Sequence, residues 1–120
     1  MNEKAIALYS MVLGIAILGL WSVILVNGEI PEGRTEFSFH LFSELMMALA
    51  CMGAGILILK KKSPGTGVAT AAHAMVLYSV LNAAGYYAER GERILPVLFV
   101  ILFLISTYCI IILINRKGLL

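Results

Sequence analysis

Glu36, His40 and Glu44 stand four residues apart in one stretch of the chain, and Met47, Cys51 and Gly55 continue the line. Helical spacing puts side chains three and four apart on one face, so these groups would form a single stripe. Glu44 lies inside an apolar run. An ionisable side chain there costs about 2.5–3.5 kcal/mol on insertion scales, so it faces a bundle interior and is a functional candidate by default. A second stripe of the same spacing holds Met75, Tyr78, Asn82, Tyr86 and Glu89.

A buried carboxylate one turn from an imidazole can exchange a proton with a bound molecule. It can also act as an acid–base pair on a lipid-like substrate, or simply lock helices together by hydrogen bonds. The Glu36-x3-His40-x3-Glu44 spacing permits a metal, but one helix supplies too few ligands for a complete set, and no metal is assigned. No H-E-x-x-H, C-x-x-C or glycine-rich phosphate loop is present, and no cofactor is implied. No nucleophile–base pair stands out. Cys51 and Cys109 both fall inside apolar runs and read as packed thiols, not as a disulfide framework.

The elements that must position these residues follow from composition. The 120 residues are 61% hydrophobic and 13% charged, against about 25% charged in an ordinary soluble domain. The apolar residues gather in four runs at about 5–26, 37–59, 67–88 and 95–114, each near the ~20 residues that a helix needs to cross a bilayer. No period-two alternation argues for strands, and backbone groups in lipid must be satisfied internally. The expected fold is an all-α membrane protein, an antiparallel four-helix transmembrane bundle forming one domain over residues 1–120. The first run is too long for a signal peptide, and no cleavage motif follows it, so it reads as a retained span.

The connections are short. Asn27 to Arg34 contains Asn27-Gly28 and Pro31; Lys60 to Gly65 contains a lysine triplet, Pro64 and Gly65; Glu89 to Arg93 contains Gly91. Lys4, Lys60, Lys61, Lys62, Arg116 and Lys117 fall on one side, whereas Arg34, Arg90 and Arg93 fall on the other with five glutamates. The bias places both termini and the lysine turn in the cytoplasm, with the protein a multi-pass component of the cell membrane. The net charge of +2 is too small and dispersed to indicate nucleic acid as a partner. The bilayer is the expected partner. A small-molecule or lipid ligand fits the chain, and so does a homo-oligomer, because four short spans enclose little volume.

Antiparallel order brings the start of span two level with the end of span three. His40 and Glu44 then share a depth with Asn82, Tyr86 and Tyr78, and with Trp21 late in span one. These six residues form the expected ligand-binding set, a polar cluster in the outer half. His73 falls in the inner half, about 20 Å away at helical rise, level with Thr107, Tyr108 and Cys109. Span three, rich in alanine with Gly67, Thr70, Ser79 and Gly85, is expected at the bundle centre. Span four, apolar on nearly every side, is expected against lipid. The leading functional reading is binding or transport of a small hydrophobic or cationic molecule around Glu44. A membrane enzyme using Glu44 and His40 is one alternative, and a structural or accessory subunit without a ligand is the other.

Overall fold

The computed structural model describes residues 2–28 and 33–116. All regular structure among them is helical: α1 (Glu3–Asn27), α2 (Arg34–Leu59), α3 (Gly65–Glu89) and α4 (Ile94–Arg116). All four are long and apolar enough to cross a membrane. Each exceeds its expected span by one to three residues at most ends, because polar first and last turns extend an apolar run. Glu29, Pro31, Glu32 and Lys117, which entered the connection and charge arguments, lie outside the described residues.

The helix ends obey local chemistry. The Asn2 side chain accepts from the Ala5 amide at 2.8 Å, capping α1, and Gly28 closes it in the left-handed region at φ 70°. The α2–α3 turn carries Lys61 at φ 55°. Gly91, at φ 81°, follows α3.

The main packing seams join α1 to α2, α2 to α3 and α3 to α4. Early α1 lies beside late α2, with Ala7 and Met11 against Gly55 and Gly14 against Ala48 and Met52. Late α1 meets early α2, where Trp21 touches Phe37 and His40. Glu3 and Arg116 form an ion pair at 2.9 Å. The start of α1, the end of α4 and the Lys60–Pro64 turn thus share one end of the molecule, called here the terminal end. The other is the hairpin end.

Two apolar clusters fill the interior. Leu13, Met47, Cys51, Ala72, Val76 and Val80 form one; Ile6, Ala54, Ala69, Cys109 and Leu113 form the other, nearer the terminal end. Tyr9 packs against both. The closest backbone approach is not on α3, despite its many small residues. Ala71, Ala74 and Gly85 of α3 are exposed, and Gly67 and Gly85 have open space where a Cβ would stand. The tight seam is α1–α2, where Gly14 faces the Ala48 carbonyl and Gly55 faces the Ala7 carbonyl. A seven-residue step on each helix, Ala7 to Gly14 and Ala48 to Gly55, repeats the contact after two turns. The centre is therefore shared by α2 and α3, while α4 buries the smallest share of its apolar stretch.

Candidate functional site

Most hydroxyls on these helices point back along their own backbone. Ser22, Ser38, Ser43, Thr70 and Thr107 each donate to the carbonyl four residues earlier. That bond satisfies a polar side chain without a partner helix. Ser10, Ser79 and Ser106 instead reach other helices, and they mark two polar sites.

The first is built on Glu44. Its side chain is 11% exposed, and Oε1 accepts the Ser79 hydroxyl across the α2–α3 seam at 2.8 Å. His40 Nε2, one turn away on α2, stands 3.3 Å from the same oxygen, with its side chain 45% exposed. The buried Trp21 of α1 meets the His40 ring edge-on at a centroid distance of 5.0 Å and also packs against Phe37. Three helices thus hold a carboxylate, a hydroxyl and an imidazole under an indole. The imidazole is the exposed member of the group, and the carboxylate is the nearly buried one. The group can carry a proton between Glu44 and His40, or offer a negative charge to a cation.

The other expected members are arranged differently. Tyr78 is 75% exposed and Asn82 is also exposed, so both sit on the outward face of α3. Tyr86 is partly exposed, with the Arg90 guanidinium 3.5 Å over its ring. The structure brings Glu44, His40 and Trp21 together and supplies Ser79, which the stripe argument passed over. A signal for Ser79 existed: Ala69, Ala72, Val76 and Val80 mark the buried face of α3, and Ser79 lies next to it one helical turn from Val76.

The second site surrounds His73, which is fully buried. It does not pair with Thr107, Tyr108 or Cys109. Side chains on a helix lean toward its N-terminus, and the α4 partner is Ser106, 3.2 Å from Nδ1. Nε2 lies 2.8 Å from Ser10 Oγ on α1. Ser106 Oγ is also 2.9 Å from the Tyr9 hydroxyl, and the Tyr9 ring stacks on His73 at 5.5 Å. Ser10 in turn reaches the Ile6 carbonyl at 2.8 Å, and Tyr9 the Leu102 carbonyl at 3.4 Å.

Proton placement in this network follows from the distances. With hydrogen on Nε2, the imidazole donates to Ser10 and Ser10 donates to Ile6. Ser106 then donates to Nδ1, and Tyr9 donates to Ser106. Only the 3.4 Å Tyr9–Leu102 contact goes unused. With hydrogen on Nδ1, the chain reverses and forfeits the 2.8 Å Ser10–Ile6 bond instead. The Nε2–H tautomer keeps the shorter bonds. Every buried polar side-chain atom among the described residues has a partner.

His40 and His73 belong to separate sites with different partners. Among the described residues no three histidine, cysteine or acidic side chains converge as a metal would require. No curated protein and no solved structure matches the chain. A family described as "Domain of unknown function (DUF8058)" matches residues 1–119, and the chain belongs to that family.

Proposed function

We propose that this chain is an integral protein of the cell membrane that binds a small hydrophobic cation at Glu44 and exchanges a proton there. In this reading the four helices run antiparallel, with both termini and the Lys60–Lys62 turn in the cytoplasm. Pairing of early α1 with late α2 supports the antiparallel order, and the lysine and arginine bias supports the orientation. Glu44 then lies in the outer half.

The observation that carries the reading is the Glu44 carboxylate itself. It is nearly buried in an apolar helix, yet its partners are a hydroxyl and a half-exposed imidazole instead of a fixed cation. A carboxylate paired in this way holds charge that a ligand can use. Trp21 packs against His40 and Phe37, which puts aromatic rings on the imidazole side of the site, the chemistry that favours an organic cation.

The test uses the full chain in micelles and tetraphenylphosphonium as probe, titrated by calorimetry from about pH 3.5 to about pH 8, a range that spans the ordinary carboxylate and imidazole values. Because the proposed site exchanges a proton for the cation, wild-type binding tightens as pH rises. Glu44→Gln loses about tenfold or more in affinity and its profile flattens. Equal, equally pH-dependent binding by a folded Glu44→Gln variant refutes the reading, as does no binding by wild type.

A structural role is the second reading. It is favoured by the Ser79–Glu44 bond, which ties α2 to α3 without any ligand. Under it, wild type binds no probe and Glu44→Gln changes stability alone.

A further inference from the structure

A depression of about 340 Å³ opens at the terminal end, where all four helices converge. Each helix contributes to it: Glu3 of α1, Ile58 of α2, Thr66 of α3 and Leu113 of α4, with Lys61, Lys62 and Ser63 from the turn between α2 and α3. Its volume falls at the small end of the range, about 300–1,000 Å³, in which small-molecule sites are found. One side is hydrocarbon. Leu113, only 1% exposed, belongs to the apolar cluster below. Two lysines, Lys61 and Lys62, and two hydroxyl residues, Ser63 and Thr66, complete the lining with Glu3.

The charges are arranged for an anion. Glu3, the acidic group in the lining, is held by Arg116 at 2.9 Å, so its charge is already answered. Among the described residues no ion pair engages Lys61 or Lys62, which leaves two lysines over the depression. Lys61 occupies the left-handed region at φ 55°, a conformation that residues other than glycine, asparagine and aspartate seldom adopt. Lys60, adjacent in sequence, does not line the depression.

We infer that this depression binds the phosphate-bearing headgroup of an anionic phospholipid. The inference rests on the membrane reading above but not on ligand binding at Glu44. The phosphate would meet Lys61 and Lys62, with the hydroxyls of Ser63 and Thr66 within the same lining. The partly exposed apolar side chain of Ile58 in the lining favours a lipid over free phosphate, because an inorganic ion has nothing to place against hydrocarbon. Basic clusters at the ends of membrane helices attract anionic headgroups. A particular depression lined by two of three neighbouring lysines adds a positional requirement to that general attraction.

That requirement is the test. Native mass spectrometry of the full chain in neutral detergent measures binding of phosphatidylglycerol and of phosphatidylcholine with the same acyl chains. Each lysine near an anionic headgroup contributes about fivefold in affinity. The double variant Lys61→Asn, Lys62→Gln therefore loses roughly twentyfold for phosphatidylglycerol. Asparagine at 61 retains the left-handed backbone. Lys60→Gln keeps its affinity within about twofold, since Lys60 does not line the depression and a neutral detergent offers it no anionic surface. Acylation of wild-type lysines by an N-hydroxysuccinimide ester provides a readout that needs no variant. Phosphatidylglycerol slows the reaction at Lys61 and Lys62 more than at Lys60.

Equal losses for Lys60→Gln and for either lining lysine would reduce the effect to diffuse surface charge and overturn the inference. Equal binding of the two lipids would also overturn it. So would full displacement of the lipid by equimolar inorganic phosphate, which would make the site one for a soluble anion. A wild-type chain that binds phosphatidylglycerol but not tetraphenylphosphonium separates this site from the one at Glu44.

Discussion

Replacing Gly14 with alanine tests the seam on which the Glu44 site depends. A Cβ at residue 14 would stand 2.5 Å from Met52 Cγ and 2.7 Å from the Ala48 carbonyl oxygen. The methionine can turn aside, because its thioether chain is flexible. The carbonyl belongs to the α2 backbone and cannot. Restoring an ordinary contact requires α1 to retreat by about 0.7 Å at that point. Overpacking of this kind costs about 1–3 kcal/mol. Alanine recovers up to about 1 kcal/mol of helix propensity, leaving a net loss of up to about 2 kcal/mol. Gly19, on the same helix, has nothing within 4 Å of its added Cβ, so Gly19→Ala gains from propensity alone. The propensity gain is common to both, so the two variants should differ by the overpacking cost, about 1–3 kcal/mol, in unfolding by dodecyl sulfate titration from mixed micelles. Trp21 lies two turns along α1 from Gly14, covering His40. In the Gly14→Ala variant its emission should become more accessible to acrylamide, while Gly19→Ala leaves it unchanged. If Gly14→Ala is as stable as Gly19→Ala, the α1–α2 backbones are not in the contact described, and the cover over Glu44 must be reconsidered.

Two further outcomes follow from the polar groups. Ser79→Ala should destabilise the fold by about 1 kcal/mol in the same titration, since a buried carboxylate loses its donor; Ser43→Ala, which gives up only a bond to its own helix, should change it far less. Nitrogen NMR of ¹⁵N-histidine-labelled protein at neutral pH should find His73 in the Nε2–H form. A dominant Nδ1–H signal would mean that the chain through Ser106, His73 and Ser10 runs the other way.

The four helices were legible because length and apolarity suffice to identify them, and the turns because Gly28, Pro64 and Gly91 act locally. Glu44 was legible because a carboxylate within an apolar run has few permissible surroundings. What sequence alone could not separate was one hydroxyl from another. Ser79 and Ser43 look alike in the chain, yet one crosses a seam and the other bonds its own carbonyl. The stripe through Tyr78 and Asn82 had correct helical spacing, but spacing defines a face without saying what the face meets. The buried alanines and valines of α3 carried that information. Counting small residues pointed to α3 as the tight seam; the paired seven-residue step, Ala7–Gly14 and Ala48–Gly55, was a sharper signal because it recurs on both partners. The His73 network was the least legible part, for it requires α1, α3 and α4 to converge, and no spacing within one helix encodes that.

The two polar sites divide the work of joining the hairpins. Packing runs in sequence from α1 to α2, α2 to α3 and α3 to α4, so α1 and α4 have little backbone contact of their own. In the half nearer the termini they are tied by Tyr9 to Ser106, by His73 bridging Ser10 and Ser106, and by Glu3 to Arg116. Toward the hairpin end, Ser79 to Glu44 is a side-chain hydrogen bond between the α1–α2 and α3–α4 pairs. A cation that takes Glu44 Oε1 competes with the Ser79 hydroxyl for the same oxygen. Binding at Glu44 would therefore loosen one end of the bundle while the His73 network holds the other. In the proposed reading the exposed imidazole, His40, stands at the end that loosens, and the fully buried imidazole, His73, stands where the helices are clasped.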